Sequence, residues 1–154
     1  MSEPTPEMLF EVFNEIGIIN QLARALLEAR LPDGLITPHF SVVNHLNRLG
    51  DGRTPVEIAR AFQVPKTSMT HTIKVLEAKG YVEVRPNPED GRSKCVYLTE
   101  KGRDLPQRAV AGLARDIDGL SGVYDLRRLL DMRPALIDLR MALDAERNDR
   151  DGFA

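Results

Sequence analysis

Sulfur chemistry is almost missing from this chain. Cys95 is its one cysteine, so no internal disulfide can form and the sequence suits a reducing compartment. No uncharged apolar stretch approaches the roughly 20 residues that span a bilayer as a helix, so no membrane-spanning helix is expected. The opening, MSEPTPEM, has no basic segment leading into an apolar run. No secretory signal is therefore expected, and a cytoplasmic location is. There is no nucleophile elbow, no phosphate-cradling glycine loop, no metal-ligand set and no pair of carboxylates placed for a cleft, so the chain reads as a non-enzyme without a cofactor. His39 and His45 are six apart on one expected helix, which puts them on different faces with no Cys or acidic partner. Internal repeats and low-complexity tracts are also lacking.

What is present is ordinary for a globular protein. The 154 residues fit one domain with a real core, 42% of them apolar and 29% charged. The net charge of −2 does not suggest nucleic acid, but its distribution is uneven. Residues 53–103 hold ten Lys/Arg against six Asp/Glu, a net of +4, and the remainder has a net of −6. That pattern fits a cationic end for a polyanion, and it fits a merely solvated face equally well.

Along the chain the period is helical, then strand-like, then helical again. Leu9, Phe10, Phe13, Ile16, Ile19, Leu22, Ala23, Leu26 and Leu27 recur in steps of three and four, which predicts a long helix from Pro6 to about Arg30 with Thr5 as its cap. Pro32 and Gly34 break the pattern. Thr37-Pro38 and Thr54-Pro55 each open a further helix in the same cap-plus-proline manner, the second with Glu57 at the capping-box position. After the turn Gln63-Val64, Pro65 opens a fourth helix that runs to Lys79, is stopped by Gly80, and buries Met69, Ile73 and Leu76. Residues 81–85 and 95–98 alternate and are rich in β-formers, with the turn-forming segment 86–94 between them, so they form a hairpin with a long tip. Thr99 caps the next helix. The rest is helical by period to about Ala145, with Gly119, Gly122 and Pro134 as interruptions.

Helix, tight turn, helix and a basic-tipped hairpin, in that order, make a winged helix-turn-helix. The outward face of the fourth helix holds Lys66, Thr67, Ser68, Thr70, His71 and Lys74, and the first acid, Glu77, comes late. Such a face can meet base edges and phosphates in the major groove of duplex DNA. Arg92 and Lys94 sit at the hairpin tip with Arg85 at its base, within reach of a neighbouring minor groove. Asp90 is placed to orient the Arg92 guanidinium. Cys95, on a strand among apolar residues, reads as structural filler.

Thr54-Pro-Val-Glu-Ile-Ala, then Ser68-Met-Thr-His-Thr-Ile-Lys-Val-Leu-Glu-Ala-Lys-Gly-Tyr-Val82, Asp90-Gly-Arg-Ser-Lys94 and Leu98-Thr-Glu-Lys-Gly102 together closely resemble the MarR family of bacterial transcriptional regulators. The resemblance is dense from about Thr37 to Arg103 and looser beyond. It implies a homodimeric winged-helix regulator whose first and last helices interlock. It also implies a pseudo-palindromic operator, usually repression, and in many members release of DNA on binding a small, often phenolic, ligand. Asp90 and Arg92 match the family's wing Asp-x-Arg, with Arg92 as the minor-groove residue. Pro106 and Pro134 depart from the family's C-terminal helices, where a kink or extra break is expected. The first helix has no cysteine, which disfavours the thiol-sensing version.

The expected fold is mainly α with a small β-hairpin wing. Residues 1–36 and 104–146 form a helical dimerisation region, 37–103 the winged helix-turn-helix, and 147–154 a flexible tail. The expected partners are double-stranded DNA, a second copy of the chain and a small aromatic ligand, and no membrane. Apolar lining with scattered polar groups such as His39 supports a ligand pocket between the dimerisation helices and the winged helix. The rival reading is a winged-helix interaction module that binds a protein and not DNA.

Overall fold

The computed structural model describes residues 3–150. Its order of elements is α1 (Pro6–Glu28), a short 3-10 turn (Pro32–Gly34), α2 (Thr37–Leu49), α3 (Pro55–Phe62), α4 (Lys66–Ala78), β1 (Val82–Pro86), β2 (Lys94–Leu98), α5 (Glu100–Ser121) and α6 (Leu126–Arg150). This is a mostly helical chain with one antiparallel hairpin. It divides into two compact units, Met1–Ala114 and Arg115–Ala154, with the boundary inside α5.

The starts of the helices follow from local chemistry. Thr5 Oγ1 accepts from Met8 N–H at the head of α1. Thr54 and Glu57 exchange the two bonds of a capping box at α3, Glu57 N–H to Thr54 Oγ1 and Thr54 N–H to Glu57 Oε2. At α2 the expected cap gives way: the helix includes Thr37, and Ile36 holds the flanking position. Thr37 N–H donates to Glu28 Oε1 at 2.8 Å, and His39 Nδ1 accepts the Ile36 N–H at 3.1 Å, so a histidine at the third helical position takes the part that Glu or Gln plays in a capping box.

The turn between α3 and α4 closes with Gln63 in the left-handed region (φ 53°), where Val64 N–H reaches Ala59 O and Gln63 N–H reaches Arg60 O. Gly80 (φ 77°) ends α4 with the same pair of bonds, from Tyr81 N–H to Leu76 O and from Gly80 N–H to Glu77 O. The boundaries of α4 fall one residue inside the expected ones at each end, with Pro65 and Lys79 as its caps.

The core of the first unit draws on α2, α3, α4, both strands and α5, and not on α1. Val42, Val43 and Leu46 of α2, Ile58 and Ala59 of α3, Met69, Ile73 and Leu76 of α4, Val82, Val96 and Leu98 of the hairpin and Leu105 of α5 are buried together with Leu35 and Tyr81. The hairpin register pairs Val82 with Leu98 and Pro86 with Lys94, and Arg53 bridges Val96 from the other side. Cys95 is buried on β2. Gly102 is required by close packing, since a Cβ there would lie 2.1 Å from the Tyr81 carbonyl oxygen.

Two expectations about the last helices are corrected. Gly119 lies within α5, and neither Pro106 nor Pro134 interrupts its helix; the one break is the segment between Ser121 and Leu126. Pro106 cannot donate to the carbonyl four residues back, Gly102 O. Asn47 Nδ2 donates to that oxygen instead, at 3.2 Å. The helix α6 continues to Arg150, through the first part of the expected tail; residues 151–154 of that tail lie outside the described residues.

α1 and α6, considered separately, bury no residue. On α1, Phe10 is 71% and Leu22 62% exposed; on α6, Leu130 is 67% exposed. Among the described residues, no helix is long and apolar enough to cross a membrane.

Candidate nucleic-acid interface

α4 is divided lengthwise by its 3.6-residue period. Met69, Ile73 and Leu76 pack into the core, and Thr67, His71 and Lys74 lie on the opposite, exposed side. Lys66 and Thr70 occupy one flank, where Thr70 is half-buried and its hydroxyl donates to Lys66 O at 2.8 Å. That proton is engaged locally, so Thr70 meets an external partner only as an acceptor. Ser68, Thr72 and Val75 occupy the other flank. All six α4 residues singled out by sequence are thus off the core side, but they do not form one surface.

The Ser68 flank faces the first turn of α2. Ile36, Pro38 and His39 on one side and Thr67, Ser68, His71, Thr72 and Val75 on the other enclose a groove of about 560 Å³. No sequence pattern announces this groove, because α2 and α4 are brought together only by the fold. His39 is buried beside it; burial first, then the nearby charges of Lys79 and His71, hold its imidazole below the usual histidine value. His39 is therefore neutral near pH 7 with Nδ1 as an acceptor, which leaves Nε2–H as the donor.

The head of α4 is electrically distinctive. Thr5, Thr54 and Thr99 supply side-chain oxygens to the first turns of α1, α3 and α5, whereas Pro65 supplies none to α4. The N–H groups of Lys66, Thr67 and Ser68 lie in an exposed first turn with no acid, at the positive end of the helix dipole.

The wing is ordered by its own side chains. Asn87 pairs with Ser93 across the tip, by N–H to O at 3.0 Å and Nδ2 to Oγ at 2.8 Å. Asp90 Oδ1 accepts the Arg92 backbone N–H at 3.0 Å, and the Arg92 Nε lies 3.5 Å away. Asp90 therefore shapes the turn first and the guanidinium second. The Arg92 side chain is 95% exposed, and Lys94 is exposed at the start of β2. Arg85 is different: it is paired with Glu83 at 2.6 Å and lies over the Tyr97 ring at 4.8 Å. Much of its charge is answered inside the wing.

Sequence reasoning missed the residues that hold the wing in place. Asp51 Oδ2 accepts Leu98 N–H at 2.9 Å and pairs with Arg103 at 3.0 Å, so the α2–α3 turn grips β2 and α5. In the sequence Asp51 stands between Gly50 and Gly52, and no local pattern marks its distant partners.

Residues 33–93 match the model of the MarR family, a span that contains α2, α3, α4, β1 and the wing tip. That span is similar to the MarR family, and its elements make a winged helix. Solved structures agree on the fold. Wild-type MarR from E. coli in its apo form is 24% identical, with 89% of this chain and 98% of that chain covered, at a TM-score of 0.70. A cysteine-to-serine mutant of E. coli MarR complexed with operator DNA is 24% identical over 89% and 99% of the two chains, at 0.67. The transcriptional regulator BldR from Sulfolobus solfataricus is 24% identical over 88% and 99%, also at 0.67. In this MarR-type arrangement α4 is the second helix of the helix-turn-helix and the β1–β2 hairpin is the wing.

Proposed function

We propose that this chain is a homodimeric, sequence-specific DNA-binding transcriptional regulator, acting in the cytoplasm as a repressor that answers a small aromatic ligand. The observation behind the reading is the exposed side of α4. It combines Thr67, His71 and Lys74, a first turn of backbone donors without a side-chain cap, and no acid before Glu77, beside a wing that extends Arg92 and Lys94. Lys74 and the first-turn N–H groups would take phosphates, while Thr67 and His71 would meet base edges. Arg92, nearly free of its own chain, would enter the minor groove. Asp90 would hold the wing tip in the shape that extends it.

A two-fold dimer would set two such helices in successive major grooves about 34 Å apart. The apolar sides of α1 and α6, exposed in the single chain, are the surfaces it would use, so that 1–36 and 104–146 act as the dimerisation region around the 37–103 reader. In place of the expected pocket between the dimerisation helices and the winged helix, this reading puts the ligand in the groove beside His39, between α2 and α4, because occupation there bears on α4 directly. The similarity to E. coli MarR, which has been crystallised with operator DNA, supports this reading over a protein-interaction module.

The test is duplex binding by the purified chain, against the DNA upstream of its own gene and against duplexes selected from a random pool. Lys74→Ala and Arg92→Ala should each weaken binding about tenfold and lower the salt slope by about one. If both variants bind like the parent chain, the assigned face is wrong. If the parent chain prefers no duplex, the interaction-module reading takes its place.

A further inference from the structure

The joint between α4 and the wing is tied to a single residue of the α1–α2 connector. Asp33 lies in the 3-10 turn with φ 57° and ψ 23°, a left-handed conformation that few non-glycine residues adopt and that Asp and Asn tolerate best. Gly34 follows at φ 67°. This double turn presents two groups of Asp33 to the joint. Its backbone oxygen accepts from Lys79 Nζ, at the end of α4, at 2.6 Å. Its Oδ2 accepts from the Tyr81 hydroxyl at 2.6 Å and pairs with Lys101 Nζ, of the first turn of α5, at 2.7 Å.

The same groups also hold one another. Lys101 Nζ donates to Lys79 O at 2.9 Å and lies 4.4 Å from the centre of the Tyr81 ring. Thr99 Oγ1 donates to Gly80 O at 2.7 Å. Three consecutive residues, 79 to 81, are therefore fixed from outside, and Asp33 receives three of the bonds. The Lys101 ammonium, then the Tyr81 hydroxyl, hold the Asp33 carboxyl below the usual carboxylate range.

Such an arrangement is weak as a stabiliser. The Asp33 and Lys101 side chains are 43% and 39% exposed, and exposed ion pairs add little to stability. Its geometry is what distinguishes it. Residues 79–81 are where α4 ends and the wing begins, so their conformation fixes the angle between the two. The geometry points to Asp33 as a positioning residue for DNA recognition, a latch that sets α4 and the wing at the mutual angle a specific site requires. This rests on the DNA-binding reading above, and Asp33 itself touches no nucleic acid in it.

The latch has a signature that simple charge effects lack. Asp33→Asn removes a negative charge from the chain, so electrostatics alone would if anything tighten binding to every duplex. A lost latch does the opposite, and only for the preferred sequence. The full-length chain, its Asp33→Asn and its Tyr81→Phe variants would be titrated with the duplex the parent selects from a random pool and with a scrambled duplex of the same composition. Asn keeps the left-handed turn, and Phe keeps the buried ring.

Asp33→Asn should lose about tenfold on the selected duplex and less than about twofold on the scrambled one, with its thermal midpoint nearly unchanged. Tyr81→Phe should lose in the same direction, and combining it with Asp33→Asn should add little, because the Tyr81 hydroxyl acts through the Asp33 carboxylate. A variant pair that binds the selected duplex as tightly as the parent, or more tightly, overturns the latch and leaves the DNA reading standing. Equal losses on both duplexes also overturn it. A parent chain without preference for any duplex overturns the DNA reading and the latch with it.

Discussion

Asn47 Nδ2 divides its two protons between Val43 O, at 3.1 Å, and Gly102 O, at 3.2 Å. The second bond replaces the one that Pro106 is unable to make, so a side chain of α2 repairs the backbone of α5. Removing the amide leaves the Gly102 carbonyl, in a buried residue, without that donor, and Asn47→Ala should cost about 1–2 kcal/mol in urea unfolding. Restoring the backbone donor changes the outcome. In a Pro106→Ala background the residue-106 N–H can bond Gly102 O, and the cost of Asn47→Ala should fall by about 1 kcal/mol. Additive costs in the four-way cycle would mean that the amide and the proline are unconnected. This pair also shows what a sequence pattern can and cannot reveal at the scale of a residue. The proline is visible as a break signal, but its repair depends on a side chain 55 residues before the carbonyl it leaves without a donor. Asp33 is a similar case: it is legible as part of a loop, whereas its partner Tyr81 is 48 residues distant.

At the scale of elements, what the sequence makes legible is whatever depends on period and capping. The α3 box of Thr54 and Glu57, the buried stripe of α4 and the presence of the hairpin all follow from spacing, and so does the side of α4 that faces solvent. The groove between α2 and α4 does not, because it belongs to a packing relationship and to no single helix. Its chemistry suits an aromatic acid: Ile36, Pro38 and Val75 offer apolar contact, and a neutral His39 with Nε2–H offers a donor to a carboxylate. A thermal-shift screen of aromatic acids should therefore find a compound that raises the unfolding temperature, with stabilisation of about 2.7 kcal/mol at a hundredfold excess over Kd. If no aromatic acid stabilises the chain, the ligand-responsive part of the proposal fails.

For the molecule as a whole, the leading question is what covers α1 and α6. Each carries large apolar side chains at high exposure, Phe10 and Leu22 on the first and Leu130 and Met141 on the last. Buried against a second copy, such residues would contribute about 25 cal/mol for each Å² of apolar surface removed from water. Leu22→Glu combined with Leu130→Glu should shift the chain from dimer to monomer in sedimentation, and should weaken binding to a two-half-site duplex far more than to a single half-site. A parent chain that sediments as a monomer throughout would refute the two-fold arrangement.

Cys95, the one thiol of the chain, is buried on β2. The protein therefore presents a surface blank to thiol reagents, and any cysteine introduced outside the core would be its single accessible attachment point. Gly91, at the wing tip, has open space where a Cβ would go. A spin label or fluorophore carried by Gly91→Cys would mark each wing once, turning the spacing between two wings into a length that can be read in solution.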